Sequence, residues 1–143
     1  MEKVNIMLLD DAYKNVRMGT YAINCIIDKI ESKGLEDLMH KQNKFYLEIT
    51  TKLDTFAKKN NYTPKDINAM LKASSYLSIN MKTLMNKDTS HIAEMLIEGT
   101  TMGITTLVKE INQSPEADQE LLALSNEIVS NQEEFVESLK KFL

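Results

Sequence analysis

Residues 9–30 read LDDAYKNVRMGTYAINCIIDKI. Leu9, Val16, Ile23 and Ile30 recur every seven positions, with Ala12 or Tyr13, Thr20 and Ile27 filling the steps between them. Alternating steps of three and four place all of these on one helix face, because side chains three and four apart are surface neighbours. A half-buried strand would instead need apolar residues at every second position, and no run of useful length has that pattern.

The same spacing continues outward from this stretch. A second segment carries Leu35, Leu38, Gln42, Phe45, Ile49, Leu53 and Phe56, and a third Ile67, Met70, Leu71, Ser74, Leu77, Met81, Leu84 and Met85. A fourth holds Ile92, Met95, Leu96, Ile97, Met102, Ile104, Leu107, Val108 and Ile111, and a fifth Leu121, Leu124, Ile128, Phe135, Leu139 and Phe142. The expectation is an all-α chain forming one domain over 1–143, with helices at about 7–31, 35–60, 64–85, 90–112 and 115–142. The fourth segment is apolar on more than one face, which predicts burial from several sides.

Local chemistry marks the boundaries. Ser32-Lys33-Gly34 predicts the end of the first helix, with Gly34 in the left-handed cap conformation. Lys58 and Lys59 suit the negative end of a helix dipole. Thr63-Pro64-Lys65-Asp66 reads as a start, with Thr63 as cap, proline at the first helical position and an acid at N3. Asn86-Lys87-Asp88-Thr89-Ser90 breaks the pattern, and Ser114-Pro115 repeats the cap-then-proline start.

The chain has 143 residues, 43% hydrophobic and 27% charged, with 4 Gly and 2 Pro. That suits one domain with a real core and excludes collagen-like, low-complexity and disordered classes. Cys25 is the single cysteine and cannot form an internal disulfide. A net charge of −4 speaks against a dedicated nucleic-acid binder, which shows a basic stripe. Val4 to Leu9 is too short for a signal segment, and no run reaches the ~20 apolar residues of a membrane span. A soluble cytoplasmic protein with no nucleic-acid or membrane partner is therefore expected. Charge is uneven: residues 1–61 carry 10 basic and 9 acidic side chains, 62–86 carry 3 and 1, and 87–143 carry 4 and 11. Such asymmetry fits solvated helix faces, or an electrostatic guide for helix pairing or self-association.

Short links between the first two and the last two helices predict two antiparallel hairpins. If the third helix runs back along the bundle as a crossover between them, the second and fourth segments lie parallel in an up-down-down-up four-helix bundle. If not, five helices pack up and down. Both orderings remain open from the sequence.

Leu9-Asp10-Asp11-Ala12-Tyr13-Lys14, the Glu98-Gly99 step and Ser114-Pro115, within hairpins at about Leu8–Asn60 and Lys82–Leu143, resemble the ferritin-like superfamily. The likeness is to its small uncharacterised bacterial four-helix-bundle proteins related to rubrerythrin and bacterioferritin. It implies the up-down-down-up bundle with a helical crossover. Active members of the superfamily hold two metal ions with a Glu from each of two helices and Glu-x-x-His from each of the others. This chain has no Glu-x-x-His. At matching depth it carries Val16, Thr20 and Ile23, then Gln42, Phe45 and Ile49, then Gly99, Thr100 and Met102 or Gly103, and finally Ser125, Ile128 and Gln132. Apolar, hydroxyl and amide groups do not supply the anionic oxygen that two such ions require, so no cofactor and no di-iron ligand set are expected.

Weaker metal candidates are Asp37-x-x-His40 and Asp88-x-x-His91, at the i, i+3 spacing that lets two side chains share an ion. Glu94 with Glu98, one turn apart, is another. For each of these the solvated helix-surface reading is preferred over the metal site. Cys25 lies beside Ile23, Ile26 and Ile27 with no cation to stabilise a thiolate, and reads as a small buried hydrophobe. No hydrolase triad, glycine-rich phosphate loop or P-loop is present. Met70, Met81, Met85, Met95 and Met102 follow the helix stripes and read as core filling. Gln42, Gln132, Thr20 and Ser125 interrupt apolar seams, where buried amides fix helix register and oligomer state. Gly19, Gly99 and Gly103 predict close helix crossing within the bundle, with a dimer contact as the alternative. Ser74-Ser75-Tyr76, Ser78 and Leu47 mark a candidate association surface.

The resulting expectation is a non-catalytic ferritin-like bundle acting as a structural or protein-interaction module, and a homo-oligomer. Its alternatives are an iron-handling or oxidant-removing metalloprotein and a spore-coat or stress-associated bundle protein.

Overall fold

The computed structural model describes residues 1–85 and 87–143, the side chains of 82–85 excepted. It is all-helical: α1 (Lys3–Ile26), α2 (Lys33–Lys59), α3 (Ala69–Met85), α4 (Thr89–Gln113) and α5 (Gln119–Leu139), with short 3-10 turns at Ile27–Lys29 and Lys140–Phe142. Among the described residues there is no strand, and no helix is long and apolar enough to cross a membrane.

Several starts and stops differ from the sequence expectation. Gly34 does not end α1. It sits in the first turn of α2, whose cap is Ser32, accepting from the Leu35 N–H at 3.2 Å. Among the described residues, the one with positive φ is Asn61 (55°), just past α2, where a short polar side chain tolerates the left-handed region. Thr63-Pro64 does not open α3. Residues 62–68 are not helical; Asp10 on α1 accepts hydrogen bonds from the Tyr62 hydroxyl and the Lys65 N–H, both at 2.9 Å. Asn68 caps instead, its Oδ1 accepting from the Leu71 N–H at 2.8 Å. Ser114-Pro115 likewise does not open α5. Ser114 ends α4 and is buried, and Asp118 caps α5 by accepting from the Glu120 N–H at 2.8 Å.

Cross-helix pairs give the directions. Asn15 meets Gly103 on α4, and Asn5, lower on α1, meets the Asp118 N–H beyond the end of α4, so these helices run oppositely. Lys59–Glu120, Lys52–Glu127 and Gln42–Asn131 descend α2 as they climb α5. Arg17–Asp66, Tyr21–Lys72 and Lys29–Asn80 ascend α1 together with the 62–85 segment. α1, α2, α4 and α5 surround one core, and α3 rests on α1 without comparable contact to the other helices among the described residues.

The core is led by Leu8, Leu9, Val16, Ile23 and Ile26 of α1, Leu35, Met39, Tyr46, Ile49, Leu53 and Phe56 of α2, and Leu121, Ile128, Phe135 and Leu139 of α5. On α2 the buried stripe is shifted one residue from the expectation: Met39 and Tyr46 are inside, and Leu38 and Phe45 flank them half-buried. The steps 35, 39, 42, 46, 49, 53, 56 keep the same alternation of four and three, which two adjacent apolar residues leave undecided.

Larger corrections concern α3 and α4. Met70, Leu71, Leu77 and Met81 face solvent rather than the core, and Met102 on α4 is 72% exposed. α3 turns Ser75 toward Met18 and packs Ile79 on the core, so its apolar stripe points away. α4 buries Ile92, Leu96 and Leu107 on one face and is not covered by α3. The methionines expected as filling are therefore surface groups at positions 70, 81 and 102, with Met95 half-buried. Leu84 and Met85 fall outside the described side chains, as does the Asn86 boundary.

Gly19 does mark a close approach. A Cβ there would lie 2.5 Å from Cε2 of Tyr46, a ring locked in the core. At Gly99 a Cβ would meet nothing within 4 Å. Gly19→Ala is expected to cost about 1–3 kcal/mol through overpacking, whereas Gly99→Ala gains about 0.5–1 kcal/mol from helix propensity. Chemical denaturation of the two variants checks the opposite signs.

Candidate functional site

Because α3 leans on α1 and leaves α4 uncovered, a groove of about 710 Å³ opens between them. Met18, Gly19, Ala22 and Ile23 of α1 form its floor. Leu71, Ser74, Ser75 and Ser78 of α3 make one wall, and Met95, Gly99, Met102 and Gly103 of α4 the other. Small side chains on both walls create the space. From Asp11 to Ile26 along α1 it runs about 22 Å at 1.5 Å per residue. Its volume lies in the ~300–1,000 Å³ range of binding sites.

A polar network reaches the base of the groove, where Asn15, Tyr46 and Gln132 join its lining. Gln132 donates from Nε2 to Asn15 Oδ1 at 2.7 Å and to the Tyr46 hydroxyl at 3.2 Å. Asn15 donates to the Gly103 carbonyl at 3.0 Å, and Gln42 donates to Asn131 Oδ1 at 2.7 Å. Burial pushes the Tyr46 pKa up, against the donors Gln132 and Gln42 that favour the phenolate, so the phenol stays protonated at neutral pH. These bonds join four helices, α1, α2, α4 and α5, and fix their register. Of the polar positions expected in the seams, Gln42, Gln132 and Ser125 are buried and bonded, Ser125 to the Leu121 carbonyl. Thr20 is buried with its Oγ1 unpartnered.

At one end of the groove, Asp11 has a raised pKa, first because it is partly buried and then because Glu110 is near, with Lys14 opposing. Glu110 is itself buried and accepts from Ser114 Oγ at 3.1 Å. Nothing in the apolar periodicity flags Glu110, Asp10, Asn15 or Asn131, since each reads as ordinary helix surface until its neighbour across the bundle is known.

The metal candidates are scattered. Asp37 pairs with Lys33 at 3.1 Å, and His40, largely exposed, lies 3.5 Å from Glu36. Asp88 precedes α4. His91 is half-buried, with Nε2 unpartnered. Glu94 and Glu98 are exposed on α4, and Glu98 edges the groove. α2 and α4 lie across the bundle from each other, and among the described residues no three His, Cys, Asp or Glu side chains converge as ligands. Cys25 is half-buried against the core. Leu47 is exposed on α2, away from the groove.

No protein family, curated protein or solved structure matches this chain.

The raised Asp11 pKa has a definite sign. A carboxyl whose folded value exceeds its unfolded value destabilises the fold at high pH, and the penalty disappears as pH falls through the folded value to below the ordinary 3.8. Asp11→Asn is expected to raise the melting temperature at pH 7 and to leave it unchanged near pH 3, as thermal scans at both values would record.

Proposed function

We propose that this chain is a non-catalytic interaction module, a cytoplasmic helical bundle with ferritin-like ordering and no dinuclear centre, that seats an apolar helix in the α1–α3–α4 groove. The observation that carries this reading is the groove itself: two helices held apart over a floor of small and apolar residues. A length of about 22 Å matches roughly four turns of helix. Methionines at its edges adapt to varied side chains, and an unpartnered groove between helices is a recurring seat for an amphipathic helix.

Two further points support the finer parts of the proposal. α2 and α4 run the same way by the cross-helix pairs above, which suits the ferritin-like order with α3 as crossover. The bundle centre holds the amides of Gln42 and Gln132, the Tyr46 phenol and the Ser125 hydroxyl, a poor ligand set for two hard cations.

The test is fluorescence anisotropy with a labelled model peptide of about 18 residues, Leu and Lys arranged at helical spacing. Wild-type protein at sub-micromolar concentration is expected to bind it. Gly99→Trp, which fills the groove from open space, is expected to weaken binding at least tenfold. Absence of binding, or equal binding by the filled variant, would overturn the proposal.

A further inference from the structure

The groove has an outer lip that is more apolar than a free surface requires. Met70, Leu77 and Met81 of α3 are 79%, 63% and 64% exposed, and Met102 across the groove is 72% exposed. Met70, Leu77 and Met81, at steps of seven and four, fall on one outward stripe along α3, the spacing of a helix-pairing seam. Together these side chains make an exposed apolar patch beside the groove, of the kind that marks an interaction site.

Charge indicates what covers it. Residues 67–87 carry Lys72, Lys82 and Lys87 and no acidic side chain. α4, the opposite wall, presents exposed Glu94 and Glu98, within a C-terminal portion (87–143) holding 11 acids against 4 bases. The chain thus carries both parts of a contact: an apolar groove with Glu98 on its α4 wall, and a helix, α3, with two lysines, no acid and an exposed apolar stripe.

We infer that the occupant of the groove is α3 of a second copy of this chain, the two copies exchanging contacts about a two-fold axis parallel to the helices. Each α3 stripe seats between the partner's α3 and α4, so the same patch serves both sides, as a closed isologous dimer requires. Opposite net charge orients the approach, and the apolar stripe supplies the contact area. This inference rests on the groove being a helix seat, the reading proposed above.

Light scattering of the full chain tests it. The mass is expected to rise from near 16.3 kDa toward twice that between ~1 and ~200 μM, by mass action. Leu77→Glu, at an exposed position, and Gly99→Trp, on the opposite wall, are each expected to weaken dimerisation at least tenfold with unchanged far-UV circular dichroism. If Leu77→Glu disturbs the fold, Met70→Glu takes its place. Mixing the two variants restores one of the two contacts, so part of the dimer mass returns. A monomer at all concentrations, a dimer indifferent to both variants, or a mixture that stays monomeric would overturn the inference. Monomeric protein that still binds the Leu/Lys peptide sinks only the second-copy occupant; monomeric protein that binds no peptide sinks the helix-seat reading as well.

Discussion

The arrangement depends on how the chain between α2 and α4 is tied to α1. The Asp10 carboxylate takes hydrogen bonds from the Tyr62 hydroxyl and the Lys65 N–H in the non-helical start of that segment. Tyr21 donates to the Lys72 carbonyl at 2.8 Å, Ser75 meets Met18, and Lys29 bonds Asn80 near its far end. These ties select the face of α3 that turns inward. They choose the polar and small side, with Ile79 as its apolar anchor, and consign Met70, Leu77 and Met81 to the surface. Had the apolar stripe turned inward against α4, the groove would be closed and α4 covered.

A helix that places its most apolar stripe outward forgoes hydrophobic stabilisation of about 1.5–3 kcal/mol for each large side chain left in water. The bundle tolerates this because α1, α2, α4 and α5 bury a continuous core without α3, while the Asn15–Gln132–Tyr46 network locks their register from inside. Stability and surface are thereby divided: four helices supply the fold, and the fifth is free to present apolar groups.

Much of this was legible in the sequence, and the exceptions share a cause. Five helices, their approximate extents and the buried amides at positions 42 and 132 follow from periodicity and from polar breaks in it. Periodicity reports that a stripe exists and is silent on which way it points, so it does not reveal that the α3 stripe faces outward or that α4 is left uncovered. The boundary errors at Thr63 and Ser114 arise similarly. A cap-then-proline pattern describes local preference, and Asp10 and Asn5, far away in the chain, claim the backbone N–H groups of those loops instead. Asp10, Asn15 and Glu110 owe their roles to partners across the bundle.

The outward stripe on α3 is the central claim, and methionine oxidation read by mass spectrometry addresses it most directly. With dilute peroxide and protein at the lowest practical concentration, Met70, Met81 and Met102 should oxidise at least ten times faster than Met39, which is fully buried, and about as fast as Met1 and Met7. Protection of Met70 and Met81 to the level of Met39 under the same conditions would contradict the account.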